Sequence, residues 1–353
     1  MNNAANPVAM HPPPPNARLI IDGAALAANW RALDAATTAE TGAAIKADGY
    51  GLGARTVMDL LVKAGCRRFW VAHWAEVAAL LPLPPGVQIS VLHGVMPGEM
   101  DAALQLPATP VLATPAQVAA WRDTGRPCEL MVDTGMNRLG LAPADVPALA
   151  AGLDVRLVHS HLACAEQADH PLNAAQRAAF AAVAAQMPGV PAALANSGGI
   201  ALGPQYHFDV TRPGIALFGG GLLPGGGHAH SVARLQARVM QLRAVPAGAS
   251  AGYGATFVAA RETRLATVAL GYADGFPRAH AGLGHALVGG VACPMAGRLS
   301  MDMMVFDVTD APPLAEGDWI DVPLDLPALS AGTGRSEYEI LTGLGRRFER
   351  VVA

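Results

Sequence analysis

Five stretches of this sequence set a reactive or polar side chain at the end of an apolar run. Lys46 follows Ala43, Ala44 and Ile45 and precedes Gly49, Gly51 and Gly53. Arg138 comes after ELMVDTG, His161 closes RLVHSH, Asn196 and Ser197 follow AALA and precede two glycines, and Arg212 stands in DVTRPGIALFG. A lysine drawn partly into apolar surroundings has a lowered pKa and becomes nucleophilic toward an aldehyde. The commonest protein-bound aldehyde is pyridoxal phosphate, whose phosphate seeks backbone N–H groups at a turn or helix start. Asn196 to Gly199 and the pair Gly214 and Ile215 offer such groups. Taken alone, Lys46 reads as a solvated side chain, His161 as a core histidine, and each arginine as a salt-bridge partner. Only their combination points to chemistry.

Elements that bring them together can be read from periodicity. Short apolar runs at 42–48, 69–73, 88–93, 110–113, 129–133, 155–161 and 192–196 alternate with helical patterns at 54–64, 75–81, 115–122, 144–151 and 173–186. Near-continuous apolar strands separated by amphipathic helices imply a buried parallel sheet. About eight such units in roughly 200 residues fit an α/β fold of the closed (β/α)8, TIM-like type, with working residues at the strand ends. An open doubly wound sheet is the rival, weakened because no GxGxxG follows the first strand.

Gly219–Gly227 (GGGLLPGGG) reads as a linker, after which β runs punctuated by Gly and Pro predict an all-β second domain. The expected division is a disordered Pro-rich tail over 1–16, a segment at 17–29 whose RLIID strand pairs with the C-terminal domain, a barrel over 30–228 and a β domain over 229–353. The sole late helix expected is 337–344.

Composition narrows the function classes. A net charge of −4, with no basic run longer than two residues, gives no reason to expect nucleic acid or an anionic membrane as partner. Four cysteines lie far apart without a CxxC pair, so zinc-ribbon and redox motifs have no support and no metal is expected. The N-terminus lacks basic residues and an apolar core, unlike a secretory signal. No run reaches the ~18 apolar residues of a membrane span. A soluble, cytoplasmic protein is expected.

Several motifs, in order, resemble the alanine racemase family: KADGYG from Lys46, DTGMNRLG from Asp133, Asn196-Ser197, RPGIALFG from Arg212, GYGATF from Gly252, GYADG from Gly271, GRLSMD from Gly297 and YEIL from Tyr338. They cover the chain from about residue 17 to its end. The resemblance implies a barrel followed by a β domain, in agreement with the periodicity, and a homodimer with its active sites at the interface. It implies that Lys46 holds pyridoxal phosphate covalently and that Tyr50, Ser197 and Tyr338 bind its phosphate, alongside Asn196, Gly214 and Ile215. Arg212 would face the pyridine nitrogen, and His161 would belong to the surrounding hydrogen-bond network. Tyr253, from the partner subunit, would be the second catalytic base. Arg138 would orient the substrate, with Tyr272, Met301 and Asp302 lining the entry or the substrate-carboxylate site. The implied reaction is interconversion of L- and D-alanine, supplying D-alanine for peptidoglycan.

Such a reaction requires an α-proton removed from one face and another delivered to the opposite face, which two bases accomplish most simply. A free tyrosine, with a reference pKa of about 10, is a poor base, so cationic or polar neighbours must favour its phenolate. Arginine does not readily surrender its proton, so at the pyridine nitrogen it would leave the ring neutral and limit transamination. One position departs from the family. Many members carry, two residues before the Asp of DTGM, a lysine that becomes carbamylated and holds the substrate-orienting arginine. Here that residue is Met131, and Arg138 is expected to be held by another group or by an anion such as chloride. A serine or broader-specificity racemase, a non-catalytic pyridoxal-phosphate protein, and a barrel enzyme using Lys46 directly on substrate are the alternatives.

Overall fold

A computed structural model describes residues 15–280 and 284–353; the Pro-rich segment expected as a tail lies, over 1–14, outside them. The described chain divides into two compact units, one of residues 21–233, 324–344 and 352–353, the other of 15–20, 234–323 and 345–351.

In the first unit, a strand broken at Gly42, β2 (Glu40–Thr41) and β3 (Ala43–Ala44), begins a parallel series. It continues through β4 (Arg68–Val71), β5 (Gln88–Val91), β6 (Thr109–Leu112), β7 (Cys128–Met131), β8 (Val155–His159), β9 (Ala192–Ala193) and β10 (Val210–Thr211). Strands β3 to β9 pair in sequence order, and β10 pairs with β2. Backbone bonds close the ring. Asp209 and Arg212 N–H groups donate to Ala192 and Ala195 on one side, while Gly42 and Ala44 donate to Thr211 and Pro213 on the other. The eight-stranded barrel read from the sequence is therefore present.

Burial on both faces explains the composition of the strands. Phe69, Val71, Val91, Val111, Leu130, Leu157 and Val158 are fully enclosed, as parallel strands covered by helices require. Trp70, Leu157, Ala193 and Val210 pack together, from four different strands, filling the barrel as stacked side-chain layers do. Outside, the helix Ala54–Ala64 buries Val57, Met58 and Leu61 as one stripe. Thr114 caps the helix Pro115–Arg122 by accepting the Gln117 N–H, with Pro115 in its first turn.

Strand ends differ from the periodicity where the site begins. The run 42–48 was expected to be one strand, but regular pairing stops at Ala44 and Lys46 opens a turn. The apolar spacing carries no signal for this stop, because backbone conformation there is set by contacts distant in sequence.

In the second unit the central strand is β11 (Ala233–Val245). Short strands β12 (Ser250–Ala251) and β13 (Phe257–Val258) form a ribbon, followed by β14 (Thr263–Val268), β15 (His285–Val288), β16 (Val291–Pro294), β17 (Met304–Asp307) and β18 (Trp319–Val322). Residues 235–238 of β11 pair with β18; beyond an irregularity between Val239 and Gln241, residues 241–245 pair with β14. That bulge lets one long strand serve two sets of partners. Strand β1 (Ala17–Ile21) lies between β11 and β19 (Glu349–Val352), while the helix Gly23–Ala35 starts immediately after it, capped by Asp22.

Two segments differ from the expected division. The stretch 219–227 folds into a closed loop in which Leu223 N–H donates to Gly227 at 2.7 Å. Residues 324–344 cluster with the barrel, tied by Glu337, which accepts the Gly221 N–H at 2.7 Å. They contain two helices, Leu326–Thr333 and Glu337–Thr342, the first of which the sequence reading missed. No helix among the described residues is long and apolar enough to cross a membrane. All four cysteines are free thiols, three of them buried and Cys164 half-buried.

Candidate active site

Lys46 leaves the first barrel strand through a left-handed turn. Ala47, Asp48 and Tyr50 have φ of 53°, 55° and 55° and Gly49 has 65°, although only glycine enters this region without steric cost. Surrounding bonds impose it. Gly49 and Gly51 N–H groups donate to Ile45 and Ala47, and the Asp48 carboxylate accepts from Ala54. Glu76 accepts from Ala47 at 2.6 Å and, through its other oxygen, from Ala72 and His73. Tyr50 is buried and stacks on Phe218 at 4.5 Å. The turn thereby fixes where the lysine amine points.

That amine opens into a cavity of about 550 Å3 at the strand ends, which also receives Tyr50, Arg138, His161, Ser197, Arg212 and Tyr338. Asn196, Gly214 and Ile215 line it as well. Burial pulls the Lys46 pKa below its ordinary value, the nearby Arg138 and Arg212 cations add to this, and Glu76 opposes it. A larger share of neutral, nucleophilic amine results.

One side of the cavity is a cup of backbone donors. Ser197 Oγ accepts from Gly214 and Ala216 N–H at 3.0 and 3.3 Å, and Asn196 Oδ1 accepts from Gly199 at 2.9 Å. The N–H groups of Ser197, Gly198 and Ile215 have no protein acceptor among the described residues. A Cβ at Gly214 would overlap the Tyr50 hydroxyl, so only glycine permits this close approach. Tyr338 closes the cup; its hydroxyl donates to Glu166 at 3.1 Å, and burial, then Glu166, raise its pKa.

Arg212 is buried at the opposite end. Its Nη1 donates to His159 Nδ1 at 2.9 Å and Ala193 O at 2.7 Å, and its Nη2 to Ser160 O at 2.6 Å. Burial lowers its pKa to about 10, with Glu129 opposing, so it stays a cation at neutral pH. The histidine bonded to Arg212 is His159, which the sequence reading did not single out; β8 ends there and that ring is buried. His161 instead lines the cavity half-buried, with its pKa pushed down to about 3 by burial, then by Arg212, Arg138 and Lys46.

Arg138 sits on the loop after β7. The Asp133 carboxylate accepts the N–H groups of Gly135, Asn137 and Arg138 at 2.9–3.0 Å, which fixes the loop backbone. The guanidinium has no hydrogen-bonded acceptor among the described residues, and Met131 is apolar and buried.

The remaining predicted residues belong to the second unit. Tyr253 heads a turn between Gly252 and Gly254, both at positive φ, and is 68% exposed. Tyr272 and Met301 lie on two loops joined by backbone bonds, Tyr272 N–H to Ser300 and Ala273 N–H to Met301. Asp302 pairs with Arg347 at 2.7 Å, and Arg347 bonds Asp274 at 2.7 Å. His159, Glu129, Asp133 and Glu76 were missed by sequence reasoning. Glu129 and His159 did carry a signal, since each is a polar residue within a strand whose neighbours are apolar.

A closed parallel barrel with a pKa-depressed lysine, a cup of unpartnered backbone donors and a locked arginine around one cavity at its strand ends has the make-up of an enzyme's small-molecule site. The sequence matches the model "Alanine racemase, N-terminal domain" over residues 21–221 and "Alanine racemase, C-terminal domain" over 232–352. It is 44% identical to the alanine racemase of Acidiphilium cryptum, over 95% of this chain and 98% of that one. The crystal structure of alanine racemase from Bartonella henselae with covalently bound pyridoxal phosphate matches with a TM-score of 0.86 and 36% identity, over 96% of this chain and 100% of that one. Biosynthetic alanine racemase from Pseudomonas aeruginosa matches at 0.84 and 33%, over 97% and 100%. This chain belongs to the alanine racemase family.

Proposed function

We propose that the protein interconverts L- and D-alanine with pyridoxal phosphate bound to Lys46. The observation that carries this reading is the pairing, in one cavity, of a lysine amine held below its ordinary pKa with the unpartnered backbone N–H groups of Ser197 and Ile215. Those donors suit a phosphate. Gly214, whose Cβ would fill the cup, leaves room for it, and Tyr50, Ser197 and Tyr338 stand around it. When bound, the coenzyme supplies an electron sink that makes the α-proton of an amino acid labile.

The chain's own residues supply the rest. Lys46 Nζ takes or returns the α-proton on one face. Tyr253, on its exposed turn, serves the opposite face of a second subunit's site, so the working form is a homodimer. Arg212 would hold the coenzyme's ring nitrogen by a hydrogen bond without giving up its proton. Arg138 would neutralise the substrate carboxylate or an accompanying anion, and Tyr272, Met301 and Asp302 would line the approach. The product serves peptidoglycan synthesis in the cytoplasm.

The visible spectrum of the purified protein tests the coenzyme assignment. Wild type reconstituted with pyridoxal phosphate should be yellow, whereas Lys46→Ala should lose the covalent chromophore and at least about 1,000-fold in kcat. Side-by-side turnover of L-alanine and L-serine tests the substrate; strong preference for serine would overturn it. Full activity in a strictly monomeric preparation would remove the role of Tyr253 in a partner's site.

A further inference from the structure

A polar chain crosses the barrel interior beneath the site, and its geometry fixes its protonation. Arg212 Nη1 can only donate, so His159 Nδ1, 2.9 Å away, must be the acceptor. The ring proton then resides on Nε2, which donates to Glu129 Oε2 at 2.6 Å. Glu129 Oε1 accepts from Ser90 Oγ at 2.9 Å and lies 3.8 Å from Arg68 Nη1; Arg68 in turn bonds Glu40 at 3.1 Å. His159 and Glu129 are both buried. A second proton on His159 would set N–H against N–H at Arg212. The charged groups facing His159 are Glu129 on β7, Arg212 after β10 and Arg68 on β4, and Trp70 meets the ring edge-on. Of Arg212's five N–H donors, three are committed to His159, Ala193 and Ser160, leaving Nε–H and one Nη2–H.

We infer that Glu129 and His159 are positioning residues that fix the plane of the Arg212 guanidinium, so that its remaining donors face the coenzyme ring as a permanent cation. This rests on the coenzyme reading proposed above. The carboxylate neutralises a cation that would otherwise be isolated in the core, and the neutral imidazole transmits that charge as an oriented acceptor. Neither residue touches the substrate.

The relay is tested with His159→Leu, His159→Gln and Glu129→Gln, by nitrogen-15 NMR of labelled histidine and by spectrophotometric titration of the apoprotein with pyridoxal phosphate. Wild-type His159 should show the Nε2–H tautomer from pH 6 to 9 with and without coenzyme. His159→Leu, which deprives Arg212 of an acceptor, should weaken coenzyme binding about tenfold and lower kcat more than it raises KM. In His159→Gln the side-chain oxygen replaces Nδ1 and the amide donates to Glu129, so binding should return to within about threefold of wild type. Glu129→Gln should weaken binding in the same direction as His159→Leu.

An Nδ1–H or doubly protonated His159 at neutral pH would overturn the relay. So would Leu and Gln variants that are equally impaired, which marks a packing role, or equally unimpaired. If His159→Leu does not fold, the wild-type tautomer and Glu129→Gln decide the matter. A wild-type apoprotein that takes up no pyridoxal phosphate would sink the proposed function, while the tautomer would still report on the relay.

Discussion

The two arginines of the cavity are held in opposite ways. Arg212 is buried and commits its guanidinium to a histidine ring and two carbonyl oxygens. Arg138 is exposed, and its loop is fixed through the backbone by Asp133 while its side chain has no hydrogen-bonded acceptor among the described residues. A guanidinium satisfied by the protein has a fixed position and charge, whereas one satisfied by whatever enters can select an incoming anion. The difference separates a permanent part of the scaffold from a group available to substrate.

Removing the charge at each position should break that contrast most directly. Arg212→Met would deprive the buried Glu129–His159 pair of its distal cation, and should lower stability by about 3–5 kcal/mol and kcat/KM at least about 100-fold, measured by urea unfolding and steady-state kinetics. Arg138→Leu should leave the unfolding curve unchanged and raise KM about tenfold, with kcat altered much less. Equal destabilisation by the two variants would abolish the distinction.

Acidification sharpens it further. His161 in the folded state has its pKa pushed down to about 3, and burial likewise lowers that of His159. Below about 6.5 the unfolded chain takes up protons that these rings refuse. Their contribution is therefore complete above that pH and is lost progressively as pH falls toward 3. The thermal midpoint should drop between pH 7 and 5, and His161→Gln should reduce the slope. The smallest effect concerns anions. Replacing chloride by a bulky organic anion at constant ionic strength should shift the wild-type KM about twofold, with no such shift in Arg138→Leu.

Much of this arrangement is legible in the linear sequence, for identifiable reasons. Parallel strands must be apolar on both faces, so Phe69–Val71 and Leu157–Val158 announce themselves. Strand ends in a barrel must carry the polar residues, which places Lys46, Arg138, Ser197 and Arg212 together. Conformation imposed from a distance is less visible. Residues 42–48 read as one strand because the contact of Glu76 with Ala47, 29 positions apart, leaves no periodic trace. That His159, two residues before His161, is the ring bonded to Arg212 has a similar cause. Both lie on the same strand parity, and only the end of β8 decides which ring faces the core and which the cavity. The helix Leu326–Thr333 escaped because its apolar residues show little sidedness, although Asp325 and Pro327 at its start are capping signals.

The turn after Lys46 has a stereochemical consequence. Ala47 adopts backbone angles of 53° and 49°, the mirror image of an ordinary right-handed helical residue, and the conformation natural to the opposite enantiomer. A chain assembled by chemical synthesis with D-alanine at that one position should fold with slightly greater stability than the all-L chain. The backbone supporting the reactive amine thus offers a lodging to the very isomer that the enzyme is proposed to release.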